Sequence, residues 1–367
     1  MLNNEHIAAL RLQRIPHIGD ITAKKLIAHC GSPAAIFDDK KESLLKIDGV
    51  GSFILKGLKD SRHLDAALDE YSFIRENGIS CTLYNESGYP EYLKHCVDGP
   101  ILLFSKGRIE LAGQKIISVV GTRNMTNYGR TFCEKFIEEI APLNPVIVSG
   151  FAYGVDICVQ KEALKQGLQT IGCLAHGINQ IYPKSHEKFA SPILQNGGFI
   201  TEFWSDSGPE RENFLRRNRI IAGMSQATVV VESAEKGGGL VTADLASGYN
   251  RDVFAVPGRA GDPYSLGCNN LIKQQKAHLI TAAADLIYLL NWELEEKVQK
   301  PVQKQLFVEL EDIERKIYAC LSKDGKQQLD MIAISCGLPV FKVSSTLLGL
   351  EMKGVIRSLP GKVFEAV

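Results

Sequence analysis

The sequence predicts an α/β protein built on a doubly wound, mostly parallel sheet, with a small helical domain before it and a winged helix after it. Three observations predict this. Between residues 81 and 290, seven short apolar runs rich in β-branched residues alternate with stretches of helical spacing. Such runs suit strands covered on both faces, and repeated βα units imply right-handed crossovers. Ahead of them lie two similar helical patterns, and behind them a helix-turn-helix pattern runs into two short strands.

The first pattern, IPHIGDITAKKLIAHCGSP (15–33), leads from a tight hairpin into a helix with Ile21, Leu26 and Ile27 on its apolar face, stopped by Gly31 and Pro33. LLKIDGVGSFILKGLK (44–59) repeats it. Hairpins of this kind either turn backbone N–H groups toward a phosphate, or use Gly19, Gly49 and Gly51 simply to close turns in a small bundle. The doubled pattern resembles tandem helix-hairpin-helix modules, which grip a nucleic-acid backbone without reading bases. It delimits a first domain over 1–65.

The central domain, 66–290, takes its strands from KIISVVGT (115–122), PVIVSG (145–150), QTIGCLA (169–175), GFITE (198–202), ATVVVES (227–233), DVFAVPG (252–258) and HLIT (278–281). Helical spacing fills the gaps, as in Phe132, Phe136, Ile137 and Ile140. A charged, Gln-rich stretch broken by Pro301 reads as a linker over 291–305. Residues 306–367 then read helix, a turn at Cys336-Gly337, helix, and two strands, Val355-Ile356 and Val363-Phe364, around Pro360-Gly361, the order of a winged helix.

Composition narrows the function classes. The chain has 367 residues, 45% of them hydrophobic, with 42 Lys+Arg against 42 Asp+Glu. Neutrality excludes a generally basic coat but permits a local cationic cluster. No run approaches a bilayer span and the start carries no signal-peptide pattern, so a cytoplasmic protein with no membrane association is expected. Nine scattered cysteines form neither a disulfide framework nor a C-x-x-C pair; Cys173 reads as a core residue and His176 as a loop residue, so no metal is expected. The P-loop, G-x-S-x-G and H-E-x-x-H patterns are absent, and no G-x-G-x-x-G supports a dinucleotide cofactor.

Ligands of doubly wound sheets bind beyond the carboxyl ends of the strands, so the loops there carry the candidate site. After PVIVSG come Ser149, Gly150, Gly154 and Asp156 at a helix start, where glycine and free N–H groups suit an anion. The first strand ends in Gly121-Thr122-Arg123, placing a guanidinium beside that loop. In FLRRNRII (214–221), Arg216, Arg217 and Arg219 concentrate charge at a helix beginning, where helical spacing predicts that they cannot all face the core; they make a solvated face or, with Asn218, a ligand edge. Gly237, Gly238 and Gly239 open the helix after ATVVVES, and Thr242 either caps it or donates to a phosphate. Asp156, Glu202 and Glu232 stand at strand ends as possible bases, ribose ligands or caps.

Together these strings resemble the DprA/Smf family of bacterial DNA-processing proteins. YPEYLKHCVDGPILLFSKG (89–107), ISVVGTRNMTNYG (117–129), IVSGFAYGVD (147–156), GINQIYP (177–183), FLRRNRIIAGMS (214–225), GGGLVTADLA (237–246), FAVPG (254–258) and GCNNLI (267–272) occur in the family's order. The resemblance implies an extended Rossmann-like central domain, a SAM-like helix-hairpin-helix start and a winged-helix end. It further implies single-stranded DNA binding, a homodimer through the central domain, and delivery of the strand to the RecA recombinase in natural transformation, without catalysis and without a cofactor. Carried onto this chain, the DNA contacts are Gly121, Arg123, Ser149, Gly150, Gly154, Lys184, Arg216, Asn218, Arg219, Gly239 and Thr242; Lys184 is supplied by the resemblance alone. The chain departs from the family at Gln160, where a His is common, at Gly238, where Ser is favoured, and at Lys276-Ala277.

Single strands need phosphate donors and stacking faces, for which Phe151, Tyr153 and Phe189 are candidates. The competing class is a nucleotide-processing enzyme of the phosphoribohydrolase type, whose P-G-G-x-G-T-x-x-E pattern lacks its Pro and Glu here. The winged helix, with only Lys342 and Lys353 flanking 343–350, predicts a protein-contact module rather than a duplex reader.

Overall fold

The computed structural model describes residues 3–292, 310–359 and 363–366. Most of the expected linker and the Pro360-Gly361 turn lie outside the described residues. The chain forms two compact units, Met1–Glu295 and Glu296–Val367.

The first unit is organised by a nine-stranded sheet. Its strands are β1 (Ser80–Leu83), β2 (Leu102–Gly107), β3 (Ile116–Val120), β4 (Val146–Ser149), β5 (Thr170–Cys173), β6 (Gly197–Thr201), β7 (Ala227–Val230), β8 (Asp252–Ala255) and β9 (His278–Leu279). They lie in the order β1-β2-β6-β5-β4-β3-β7-β8-β9. All seven sequence-read runs become strands, parallel from β6 across to β9. The β1–β2 hairpin was not read as strand; it adds antiparallel to β6 through Phe104↔Thr201.

Both faces of the parallel strands are buried, as continuous apolar runs require. In β3, Ile117 and Val119 pack with Phe136, Ile137 and Val159 on one face, while Ile116 and Val120 meet Ile220, Ile221 and Ala243 on the other. The chain winds outward from β3 to β6 and then returns to β7 on the other side of β3. That reversal makes β3/β7 the topological switch point, where the carboxyl ends open a crevice.

The two N-terminal copies share a backbone as well as a sequence. Ile18 N donates to Ile15 O at 3.2 Å and Val50 N to Ile47 O at 3.0 Å, and the third hairpin residue is left-handed in both, His17 at φ 66 and Gly49 at φ 85. The helices Asp20–Cys30 and Ser52–Leu58 follow. Ile21, expected on the apolar face, is 46% exposed, because the buried stripe runs instead through Ala23, Leu26 and Ile27. Asp20 accepts from Ile101 N at 2.9 Å and from Arg219 Nη2 at 3.0 Å, so the first helix start presses on the central sheet. Leu12, Leu26 and Ile36 share one apolar core with Leu83, Ile101, Phe104 and Trp204, and residue 65 falls inside the continuous helix Ser61–Glu76.

In the second unit the helices Asp312–Asp324, Leu329–Cys336 and Val340–Met352 pack Ile317, Leu321, Ile332, Val343, Leu347 and Leu350 together with Ile356. Gly337 closes the turn in the left-handed region at φ 61. Both expected strands are present, β11 (Ile356–Leu359) and β12 (Val363–Ala366), and β10 (Gln327–Gln328) completes a sheet ordered β10-β12-β11. This is the winged helix read from the sequence.

Candidate nucleic-acid interface

A cleft of about 600 Å³ opens at the β3/β7 switch point. One wall is the β3 loop, Gly121-Thr122-Arg123; the other is residues 236–239 and the start of the helix Gly238–Gly248, which has no side-chain cap. Uncapped N–H groups and the positive end of the helix dipole favour an anion there. The loops touch: a Cβ on Gly121 would lie 2.6 Å from Val155 Cγ2 and 2.9 Å from Glu232 O, so only glycine fits. The helix Arg211–Gly223 covers the cleft with Arg211, Phe214, Arg217, Asn218 and Ile221, residues three or four apart on one face.

Arg123, Arg211 and Lys236 are exposed at this cleft and carry no carboxylate partner among the described residues. Asn218 is only 9% exposed, lines the cleft and makes no side-chain hydrogen bond within the described residues. Gly239 and Thr242 line it too. Thr242 does not cap the helix: its hydroxyl donates back to Gly238 O at 3.3 Å. Arg211 and Lys236 were not singled out from the sequence. Lys236 directly precedes the glycines, and Arg211 falls in helical register with Phe214 and Asn218, signals that were present to be read.

The loop after β4 has a different role from the one expected of it. The Asp156 carboxylate already fills its anion position, accepting from Gly150 N at 3.1 Å and Ala152 N at 3.4 Å. Ser149 is fully buried and donates to Val119 O at 2.7 Å. Ser149 and Gly150 therefore spend their polar groups inside the protein. Gly154, at φ 78 and ψ −124, adopts a conformation that side chains disfavour and lies against the backbone of Thr122 and Arg123, shaping the β3 loop from behind.

The arginines also depart from expectation, because they sit mid-helix and two of the three are buried. Arg217 donates through Nη1 to Gly150 O and to Cys173 O, each at 2.5 Å, and faces Asp156. Burial pushes the Asp156 carboxyl above the usual range, and the Arg217 guanidinium pulls it back. Arg219 points to the opposite side, to Glu202 at 2.5 Å and Asp20 at 3.0 Å, joining the N-terminal helices to the sheet. Arg216, half-exposed, meets the same Glu202 at 2.7 Å, beside a separate cleft of about 190 Å³. Successive helical residues are about 100° apart, so adjacent arginines must diverge.

None of the three strand-end carboxylates is free. Glu232 accepts from Thr126 N at 2.9 Å and from Thr126 Oγ1 at 2.5 Å, tying the β3 loop to β7. Asp156 and Glu202 hold the contacts given above.

Lys184 is exposed and is not among the residues lining the cleft. Its neighbour Ser185 bonds Tyr153 Oη at 3.0 Å, and Tyr153 stacks edge-on with His186. Phe151, a candidate stacking face, is fully buried between Phe199 and His186. Tyr153 and Tyr182 are exposed; Tyr182 meets Phe214, over which Arg123 lies at 5.4 Å. Phe189 is half-buried under Lys161 and Lys188.

Cys173 is a core residue, as expected, and His176 lies in the loop after β5 but is buried. The nine cysteines are free, and among the described residues no cluster of three or more His, Cys, Asp or Glu could hold a metal. Gln160 lies under the sheet with both side-chain polar atoms unpartnered.

Burial pulls the pKa of His176 and His186 below 6.5, the ordinary value. Both are neutral in the folded chain, so their contribution to stability is present above about pH 6.5 and is lost as pH falls through the depressed folded values. Thermal melts between about pH 7.5 and pH 5.5 are expected to show this acid loss, and exchange of both residues for Gln to flatten it.

The fold and the cleft define a class: a Rossmann-like α/β protein with a cationic cleft at its switch point and a separate winged helix. The family model described as DNA recombination-mediator protein A matches residues 80–291, and that of the DprA winged helix domain matches 303–362. Protein Smf of Escherichia coli is 36% identical over 276 residues, 74% of each chain; DNA processing protein DprA of Bacillus subtilis is 38% identical over 213, 58% of this chain and 71% of that one. Among solved structures, DNA processing protein A of Streptococcus pneumoniae has a TM-score of 0.65 at 27% identity, covering 78% of this chain and 98% of its own. That of Helicobacter pylori, described for its single-stranded DNA binding mode, has a TM-score of 0.53 at 29% identity, covering 58% and 95%. The chain belongs to the DNA recombination-mediator protein A family, the DprA/Smf family.

Proposed function

We propose that the chain binds single-stranded DNA in the β3/β7 cleft without catalysing a reaction on it, and passes the strand to a RecA recombinase in natural transformation. The observation that carries this reading is the cleft itself: Arg123, Arg211 and Lys236 stand without a carboxylate partner among the described residues around an uncapped glycine-rich helix start. Phosphates supply the missing negative charge, and Phe214, Tyr182 and Tyr153 offer faces for unpaired bases beside it. Lys184, next to the Ser185 that bonds Tyr153, adds a further exposed positive charge to the proposed contacts. The engaged state of Asp156, Glu202 and Glu232 argues against a general base, and so against the phosphoribohydrolase alternative.

The homodimer belongs to the same proposal. The edge strand β9 presents His278 and Leu279 to solvent, with Tyr288 and Leu289 exposed nearby, an apolar edge suited to a second central domain. Cytoplasmic placement is likewise proposed. Among the described residues no single helix is long and apolar enough to cross a membrane.

The test is equilibrium binding of a fluorescent oligonucleotide, single-stranded and duplex, across a salt series. Expected are preference for the single strand and a logarithmic slope of about −0.7 per neutralised phosphate. Equal, weak binding of both forms, together with release of free base from nucleoside monophosphates, would overturn the reading in favour of the enzyme.

A further inference from the structure

The cleft at the β3/β7 switch point holds more donors than an internal phosphate of a strand can use. The helix Gly238–Gly248 starts there without a side-chain cap, and the Gly238 and Gly239 N–H groups make no hydrogen bond among the described residues. Across from them Asn218, on the helix Arg211–Gly223 and only 9% exposed, lines the same cleft with its amide unbonded. A buried amide is costly to leave without a partner, so this one marks a place where a ligand belongs. Arg123, Arg211 and Lys236 add charge without a carboxylate partner among the described residues. The carboxylate in the lining, Asp156, is already taken up by Gly150 N and Ala152 N.

We propose that this cleft seats a terminal phosphate monoester, carried by the end of a DNA strand or by a free nucleotide, in preference to an internal diester. The inference rests on the single-strand reading for the strand and adds which phosphate the cleft selects. A diester offers two free oxygens and one negative charge. A monoester offers three oxygens and close to two charges at neutral pH, which matches an amide pair, a carboxamide and three cations better.

The walls favour an end as well. A Cβ on Gly239 would lie 3.3 Å from Gly121 Cα, so no strand threads between the two loops. An internal phosphate held against them has to lead both flanking sugars back out through one mouth, whereas a terminal phosphate leads out only one. The volume, about 600 Å³, is in the range of small-molecule sites, and Phe214, with the Arg123 guanidinium 5.4 Å from its ring centre, gives the attached base an aromatic face.

The experiment is equilibrium binding by the full chain of labelled oligonucleotides about six residues long, a length at which ends are not outnumbered. They carry a phosphate at the 5′ end, at the 3′ end or at neither, and calorimetry with deoxyadenosine monophosphate and deoxyadenosine runs beside them. The expected result is that a phosphate at one end tightens binding about tenfold, the worth of one more charge-assisted hydrogen bond. Asn218→Asp, which is nearly isosteric, is expected to abolish that preference. Arg211→Ala, whose side chain is exposed, is expected to reduce it with an unchanged melt. A preference for phosphate ends without nucleotide binding assigns the ligand to strand ends. Nucleotide binding with no strand bound assigns it to free nucleotides, and overturns the single-strand reading while this one stands. Equal affinity for phosphate-ended and hydroxyl-ended strands overturns the inference and leaves single-strand binding intact; binding of neither strand nor nucleotide overturns both.

Discussion

Arg217→Met is expected to destabilise the first unit by about 3–5 kcal/mol, because it removes one partner of a buried charge pair and leaves the other in place. The guanidinium reaches the carbonyls at the ends of two adjacent strands, Gly150 O and Cys173 O, and faces Asp156. Methionine fills a similar volume but donates nothing. For a unit of this size the melting temperature falls by roughly 6–20 °C. The deficit has a pH signature. Asp156 already sits above its ordinary value through burial, and loss of the arginine raises it further. A carboxyl raised on folding gives stability that is present below its unfolded value of 3.8 and lost as pH rises through the folded value. The variant's disadvantage therefore shrinks toward acid. Calorimetry across pH checks both parts; a melt like that of wild type at neutral pH would remove Arg217 from this role.

The second large effect concerns binding. Arg123→Ala with Lys236→Ala is expected to lower the salt slope for single-stranded DNA by about 1.4, and affinity by roughly tenfold at about 0.15 M salt, through two lost phosphate contacts. Both side chains are exposed, so the melt stays that of wild type. Arg219→Ala gives the opposite pattern: Glu202 and Asp20 lose a buried partner, so stability falls while the slope holds. A slope that followed Arg219 and ignored Arg123 would place the strand against the other side of the helix Arg211–Gly223.

The contrast between these arginines marks how far the sequence reaches. FLRRNRII showed that positive charge gathers at a strand-end edge, and of the glycines read there Gly121 and Gly239 are where backbones approach closely. Those are local properties: a β-branched run, a glycine before a helix, a Gly turn between two short helices. They sufficed for the seven parallel strands, for the doubled hairpin and for the winged helix. The β1–β2 pair escaped because its place in the sheet rests on the pairing of β2 with β6, about a hundred residues further along the chain.

At the cleft itself the sequence determined which loops assemble, since in a doubly wound sheet they come together at the carboxyl ends of the strands. Only the tertiary structure decided which side chains there are free. Asp156 closes over Gly150 and Ala152, Arg217 turns inward to two carbonyls, and Arg219 finds Asp20 some two hundred residues away. Arg123, Arg211 and Lys236 are left without a carboxylate partner among the described residues. The physical reason is that a charge is satisfied by whatever the fold brings within about 4 Å, and that distance is set by packing between elements far apart in sequence, not by spacing along the chain.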